Sequence, residues 1–222
     1  MNKTHLVIFG ASNILSDLVE CALANGLVPS KIILDLPEPS GTRDLSLADR
    51  IQKWTPVCPA PIVESFENFY PQEGELYILG PTTPSREHLL TKVLQQYALQ
   101  FCTLIHPTAH VSGMATIGDG VFVGAGSLIG PGALIENQVF INRGVTIGHD
   151  THIGSFTRIQ PGCNIGGLTT IGRSVSIGIG ATIIDRIVVG DHAVLAAGST
   201  LLNDLPPKIM AAGSPAIVKK PL

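Results

Sequence analysis

A histidine followed directly by a carboxylate residue stands in the second half of the chain, and together the two have the residue types of a general base. His149 is followed directly by Asp150. An imidazole with the ordinary histidine pKa of ~6.5 can remove a proton from an amine or a hydroxyl at neutral pH. A neighbouring carboxylate can orient the ring and stabilise the imidazolium that forms. Adjacent residues of a strand point in opposite directions, so this pairing requires a turn at these two positions.

Such a pair can activate an amine or a hydroxyl for direct attack on a carbonyl carbon without a covalent enzyme intermediate, with a backbone N–H as donor to the developing oxyanion. On spacing alone a solvated histidine without a catalytic role stays open, because His110, His152 and His192 occur in the same part of the chain. A zinc site also competes, since His149 and His152 are three residues apart. No third ligand stands at a matching spacing, so we predict no metal.

A strict six-residue repeat must build the elements that position this pair. The repeated aliphatic residues are Ile105, Val111, Ile117, Val123, Ile129, Ile135, Ile141, Ile147, Ile153, Ile159, Ile165, Ile171, Ile177, Ile183, Val189, Leu195 and Leu201. A period of six is a multiple of the strand period of two, so all these side chains face one way, and helical spacing is absent. The repeat predicts a parallel β-helix with one short strand per hexad.

The residue after each core position is often glycine, as at Gly124 and Gly148. Glycine suits a tight corner, where φ is positive or where a Cβ would crowd the next coil. His149 comes two residues after the core residue Ile147. We therefore expect it outside the aliphatic column, near a corner that could face a neighbouring subunit.

The first 104 residues lack the repeat and alternate apolar strands with helices. Strands are predicted at 5–9, 31–34 and 76–79, with amphipathic helices at 14–23 and 84–97. Thr83 is predicted to cap the second helix, with Pro84 at its first position, and a last strand at 101–105 leads into the repeat. Residues 36–75 are Pro-rich and are predicted as loops with one short helix at 47–54. The alternation predicts a small parallel sheet. We thus expect an α/β, Rossmann-like domain at 1–104 and an all-β domain at 105–222.

The turn after the first strand could bind a phosphate. It reads Gly10-Ala-Ser-Asn, and a strand–turn–helix with glycine and a helix N-terminus can hold a pyrophosphate. Asp35, at the end of the second strand, stands near the position of an acidic ribose partner. The later glycines of the GxGxxG fingerprint are absent. A turn that serves only the fold, with Asp35 as a solvated strand end, remains the alternative.

Composition excludes several classes of function. The formal net charge is −3 with no basic run, which disfavours nucleic acid as a partner. No apolar run approaches the ~18 residues that a membrane span needs. The four cysteines form no CxxC pair and fit a reduced cytoplasm. Cys163 stands at a small position of the repeat and is predicted to be a buried apolar residue.

Three sequence features together resemble the NeuD/PglD-type sugar acyltransferases. They are the short nucleotide-fold domain, the segment Thr103-Leu-Ile-His-Pro-Thr-Ala-His that precedes the hexads, and Ile141-Asn-Arg-Gly-Val-Thr-Ile-Gly-His-Asp followed later by Gly213-Ser-Pro-Ala. The resemblance covers nearly the whole chain. It implies a left-handed β-helix of three hexads per coil, a homotrimer, acetyl-CoA as co-substrate, and a nucleotide-sugar or sugar acceptor.

The resemblance also implies roles for particular residues. His149 would be the general base with Asp150 as its acidic partner, and Asn142 would approach the acceptor sugar. Coenzyme A would lie between neighbouring subunits, near the backbone of Gly167 and Ala197 and close to the tail at Gly213.

Other implied roles fall where this chain departs from the family pattern. Arg158 stands where some relatives have a second histidine near the thioester, and Gly148 stands where many have glutamate. The nucleotide would contact Gly10, Ser12, Asn13 and Asp35.

Three functions follow as candidates. The first is N-acetylation of a nucleotide-linked amino sugar, in which the N-terminal domain binds the nucleotide. The second is O-acetylation of a sugar of the sialic acid type. The third is a non-catalytic binding subunit with a hexapeptide fold.

Overall fold

The computed structural model describes residues 4–35, 44–81 and 85–222. The chain divides into two compact units, Met1–Cys102 and Thr103–Leu222. The first unit has the α/β fold that its sequence pattern predicts, and the second is the parallel β-helix that the repeat predicts, left-handed as the resemblance implies. The predicted cap Thr83 and the predicted first helical residue Pro84 lie outside the described residues.

The first unit is a four-stranded parallel sheet with helices. Its elements are β1 (His5–Phe9), α1 (Leu15–Ala24), β2 (Val28–Leu34), α2 (Leu47–Trp54), β3 (Ile62–Ser65), a 3₁₀ turn (Phe66–Asn68), β4 (Glu75–Leu79) and α3 (Ser85–Gln96). The strand order is β3-β2-β1-β4. One side of the sheet buries an aromatic cluster in which Phe9 meets Phe69 and Phe66 edge-on.

Two predictions for the first unit are wrong. Within the predicted loops, of which 36–43 lie outside the described residues, β3 (Ile62–Ser65) pairs with β2 as an edge strand. Its two aliphatic residues are exposed, so it has no buried alternating pattern to reveal it. The predicted strand at 101–105 is divided instead: Phe101 bridges to Tyr77, whereas Leu104 begins the β-helix.

The second unit forms three flat faces from strands of two residues each, except for two longer strands at its C-terminal end. The first face holds β5 (Leu104–Ile105), β8 (Phe122–Val123), β11 (Phe140–Ile141), β14 (Arg158–Ile159), β17 (Ser176–Ile177) and β20 (Val194–Leu195), and it ends in β22 (Ile209–Ala212) and β23 (Ile217–Pro221). The second face holds β6 (His110–Val111), β9 (Leu128–Ile129), β12 (Thr146–Ile147), β15 (Asn164–Ile165), β18 (Thr182–Ile183) and β21 (Thr200–Leu201). The third face holds β7 (Thr116–Ile117), β10 (Leu134–Ile135), β13 (His152–Ile153), β16 (Thr170–Ile171) and β19 (Val188–Val189).

The register between coils is 18 residues from β5 to β21. Thr146 pairs with Asn164, and Ile147 pairs with Ile165, so the second residue of each strand stacks on its equivalent in the next coil. These residues form one aliphatic core with the small residues that directly precede each strand, and Cys163 lies in that core as predicted.

The glycine that follows a core residue is explained by crowding. A Cβ on Gly148 would lie 2.4 Å from the backbone nitrogen of Gly167 in the next coil. Positive φ occurs two residues later, at the second turn position, which is Gly144 in one turn and Asp150 in the next. Of the two reasons predicted for glycine after the core residue, the contact between coils is therefore the one that applies at Gly148.

Within the described residues, no helix combines the length and apolar character needed to cross a membrane.

Candidate functional site

The centre of the candidate site is the turn between β12 and β13, at the corner of the second and third faces. His149 Nδ1 lies 2.8 Å from Asp150 Oδ2. Asp150 has a φ of 53°, which turns the backbone so that the two adjacent side chains meet. Both side chains are more than half exposed, with fractions of 58% and 59%. The pair can therefore accept a proton at Nε2 while the carboxylate steadies the ring through Nδ1.

The backbone of this turn is tied to the coils on both sides. The Asp150 N–H donates to the Pro131 carbonyl in the preceding coil at 2.9 Å. The Leu168 N–H in the following coil donates to the His149 carbonyl at 2.8 Å. The exposed side chains of the pair can therefore move, whereas the backbone that carries them is held by hydrogen bonds to both neighbouring coils.

Gly167 lies directly beside the histidine. It follows His149 by one coil of 18 residues, and a Cβ placed on it would lie 2.7 Å from His149 Nε2. Of the predicted cofactor residues, the structure thus brings Gly167 to the same corner as the proposed base.

Asn142, Ala197 and Gly213 lie at a different corner, between the first and second faces. Asn142 is only 3% exposed, and its Oδ1 accepts from the Arg143 N–H at 2.8 Å. Ala197 is an exposed turn residue of this corner. The Gly213 N–H donates to Ser199 Oγ, and its carbonyl accepts from the Thr200 N–H. The predicted acceptor and cofactor residues are therefore divided between two edges of one face.

Arg158 lies on the first face, in β14, and its Nε donates to Ser176 Oγ at 3.2 Å. Partial burial lowers the pKa of its guanidinium. Within one chain it does not reach the corner that holds His149, so its predicted contact with the thioester stays a prediction.

The predicted nucleotide turn of the first unit is densely bonded. Gly10 has a φ of 79°, and a Cβ on it would lie 2.7 Å from Pro81. Ser12 Oγ donates to the Gly80 carbonyl at 2.8 Å. Asn13 accepts from Arg50 at 2.9 Å through its side-chain oxygen. Arg50, from α2, adds a cation to this turn that sequence reasoning missed, because it comes from 37 residues further along the chain.

Asp35 lies at the same edge of the sheet, at the end of β2, where its carboxylate forms an ion pair with Lys92 from α3. The carboxyl side chain is 10% exposed. This pairing differs from the solvated strand end that was the alternative reading of Asp35. A ribose contact by Asp35 remains a prediction.

A second histidine–carboxylate pair lies on the third face and was not predicted. His152 Nε2 lies 2.7 Å from Glu136 Oε1, and Glu136 Oε2 accepts from both the N–H and the hydroxyl of Ser155. The Ser155 hydroxyl is the main cause that lowers the pKa of Glu136. Glu136 also lines a groove of about 290 Å³ with Leu134 and Asn137. Because the Ser155 hydroxyl donates to the carboxylate, the cluster lacks the serine–histidine hydrogen bond of an activated serine nucleophile.

No group of three or more His, Cys, Asp or Glu side chains in the described ranges 4–35, 44–81 and 85–222 is arranged to hold a metal ion.

Comparison with known proteins agrees with the repeat. Residues 168–203 match the family model described as bacterial transferase hexapeptide, six repeats. The matched residues lie within the β-helix of the second unit.

One curated relative aligns with most of this chain. A curated protein of Schizosaccharomyces pombe, which carries the provisional description of a serine acetyltransferase, is 32% identical over 174 residues. That alignment covers 76% of this chain, and the chain spans 58% of the relative's length.

Two solved structures match nearly end to end. The acetyltransferase domain of PglB from Neisseria gonorrhoeae, solved with acetyl coenzyme A, aligns with a TM-score of 0.81 and 26% identity over 100% of both chains. A perosamine N-acetyltransferase mutant from Caulobacter crescentus, solved with CoA and GDP-perosamine, has the same fold, with a TM-score of 0.70 and 22% identity over 97% of each chain. The resemblance to NeuD/PglD-type acetyltransferases is confirmed.

Proposed function

We propose that this protein is an acetyl-CoA-dependent acetyltransferase that acts on the amine of a nucleotide-linked amino sugar. The observation that carries the proposal is the exposed His149–Asp150 pair, held at a β-helix corner of a chain that aligns over its full length with an acetyltransferase domain solved with acetyl coenzyme A.

The chemistry needs one base and two substrates in direct contact. The amine nitrogen attacks the thioester carbonyl carbon and loses a proton to His149 Nε2. The carbon–sulfur bond then breaks, and the thiolate takes up a proton to leave as the free thiol. Asp150 stabilises the imidazolium while it carries the proton. No covalent acyl-enzyme is required.

A homotrimer would complete this site. His149 and the corner of Asn142 and Ala197 bound the same second face at its opposite edges. The strand β12 of this face lies between the two corners. Three copies with this face inward would place the His149 corner of one chain beside the Asn142 corner of the next. The residues that one chain keeps apart would then meet between subunits.

The first unit supplies the reason for proposing a nucleotide-linked acceptor. The turn Gly10–Asn13 ends β1, with Arg50 bonded to Asn13 and with Asp35 at the same sheet edge. The carboxyl edge of a parallel sheet is where such folds bind nucleotides. Binding energy from the nucleotide would position the sugar amine without contact at the reacting atoms.

The cytoplasmic location stays a prediction from the scattered cysteines.

The test is transfer from acetyl-CoA to matched acceptors, read by thiol release and by the mass of the product. The panel contains nucleotide-diphosphate amino sugars, the same amino sugars without the nucleotide, and free sialic acid. We expect an N-acetyl product, with kcat/KM higher for the nucleotide-linked form. Equal values for the two amino sugar forms would remove the role of the nucleotide. A preference for sialic acid would indicate O-acetylation, and no transfer at all would indicate a binding subunit.

A further inference from the structure

We propose that Gly167 is a positioning residue for His149, because its missing side chain provides the space in which the imidazole lies and through which Nε2 is reached. The inference rests on the proposed function, since it concerns the same base. It assigns Gly167 a steric role that is separate from any contact of its backbone with the coenzyme.

A side chain at position 167 would collide with the imidazole ring of His149. A Cβ built on Gly167 would lie 2.7 Å from His149 Nε2, 2.8 Å from Cδ2 and 3.0 Å from Cε1. Non-bonded carbon atoms prefer separations of about 3.5–4.0 Å. Three ring atoms would thus be too close to a single methyl group, so the ring of His149 would have to move.

The imidazole ring of His149 can move while the backbone of the coil stays in place. The His149 side chain is 58% exposed, whereas its carbonyl is held by the Leu168 N–H of the next coil. The ring can therefore rotate into solvent while the coil stays in place. Rotation moves Nδ1 away from Asp150 Oδ2, 2.8 Å distant in the native turn.

A side chain at position 167 would also lie against the ring nitrogen that accepts the proton. Because Asp150 takes Nδ1, Nε2 is the nitrogen left to accept a proton, and Nε2 is the ring atom nearest the site of the absent methyl group. A side chain at position 167 would displace the base and also occupy the approach to it.

The preceding coil shows the same arrangement on the other side of the pair. A Cβ on Gly132 would lie 2.3 Å from Asp150 Oδ1. Gly132 has a φ of 70°, so its glycine also has a backbone reason. Gly167 has no positive φ, and alanine can adopt its backbone without strain. Gly167→Ala is therefore a purely steric test.

The chain offers a matched control. Gly113 occupies the same turn position at the same corner, three coils before Gly167, and a Cβ there would meet nothing within 4 Å. Gly113→Ala adds the same methyl group at an equivalent place without touching the pair. Both variants keep their backbone N–H, so neither removes a backbone donor.

The experiment compares wild type, Gly167→Ala and Gly113→Ala by NMR of the His149 ring nitrogens in the free protein, together with kcat and KM for both substrates. We expect Gly167→Ala to shift the His149 ring signals and to lower kcat by roughly 10–100-fold, as for a misplaced catalytic group. Gly113→Ala should match wild type in every measurement. Unchanged His149 signals and kcat in Gly167→Ala would overturn the proposal.

A folding failure of Gly167→Ala and an inactive wild type are two further outcomes that the experiment can interpret. If Gly167→Ala fails to fold, the double variant Gly167→Ala with His149→Ala should fold, because the ring that opposes the methyl group is gone. An unfolded double variant would overturn the proposal. If wild type transfers no acetyl group to any acceptor, the proposed function fails, while the NMR comparison in the free protein still decides the positioning role.

Discussion

Replacement of Asp150 by asparagine isolates the charge of the proposed base pair from its geometry. Asparagine has the same shape and tolerates the left-handed φ of 53° that this position requires, so the turn should be retained. The side-chain amide can still face His149 Nδ1, at 2.8 Å in the native pair. What is lost is the negative charge that stabilises the imidazolium during proton transfer.

The size of the effect follows from the exposure of the pair. Both side chains are more than half exposed, so a water-like dielectric applies. Two unit charges 2.8 Å apart then attract by about 1.5 kcal/mol, which corresponds to about a tenfold change in rate. We expect Asp150→Asn to lower kcat about tenfold. Loss of the base itself, in His149→Ala, should lower kcat by ~10²–10⁴ without unfolding the protein.

The assay is thiol release at saturating acetyl-CoA and acceptor, so that kcat is measured apart from binding. Asp119→Asn is the control, because it makes the same substitution at an exposed turn on another corner. It should leave kcat unchanged. A loss in Asp150→Asn as large as that in His149→Ala would refute the reasoning, since a screened charge cannot account for it. No loss at all would mean that the pair does not act in transfer.

Three further predictions concern assembly and stability. Ile147→Asp places a charge in the aliphatic core, where Ile147 is 3% exposed, and should abolish the folded β-helix in circular dichroism, while Thr170→Asp on the exposed third face should fold. The lowered pKa of Glu136 means that its ionised form adds stability above its ordinary value of 4.5 and that this stability is lost as pH falls through the folded pKa. Glu136→Gln should therefore melt below wild type at pH 7, and melting curves should show the difference disappear in acid. Sedimentation should give three chains of 23.3 kDa each, and an active monomer would contradict the shared site.

The period of the sequence determines most of the fold and part of the site. Because the repeat predicts strands every six residues, the corner position of His149 could be predicted from Ile147 alone. Three hexads per coil also place residues 18 apart in contact, so the position of Gly167 beside His149 was available from the sequence. The steric role of that glycine could be recognised only from the position of the His149 ring in the structure.

Contacts between distant positions could not be predicted. Lys92 pairs with Asp35 across 57 residues, and Arg50 reaches Asn13 across 37, with no repeat to set the register. The burial of Asn142, whose side chain accepts a hydrogen bond from the Arg143 N–H, could not be predicted from the repeat. Ile62–Ser65 was missed since an exposed edge strand has no buried face to pattern its sequence.

The central claim is tested most directly by acetyl transfer to a nucleotide-diphosphate amino sugar with wild type and His149→Ala side by side. We expect one thiol released per N-acetylated product in wild type and a fall in kcat of ~10²–10⁴ in the folded variant. Transfer at the wild-type rate by His149→Ala would contradict it.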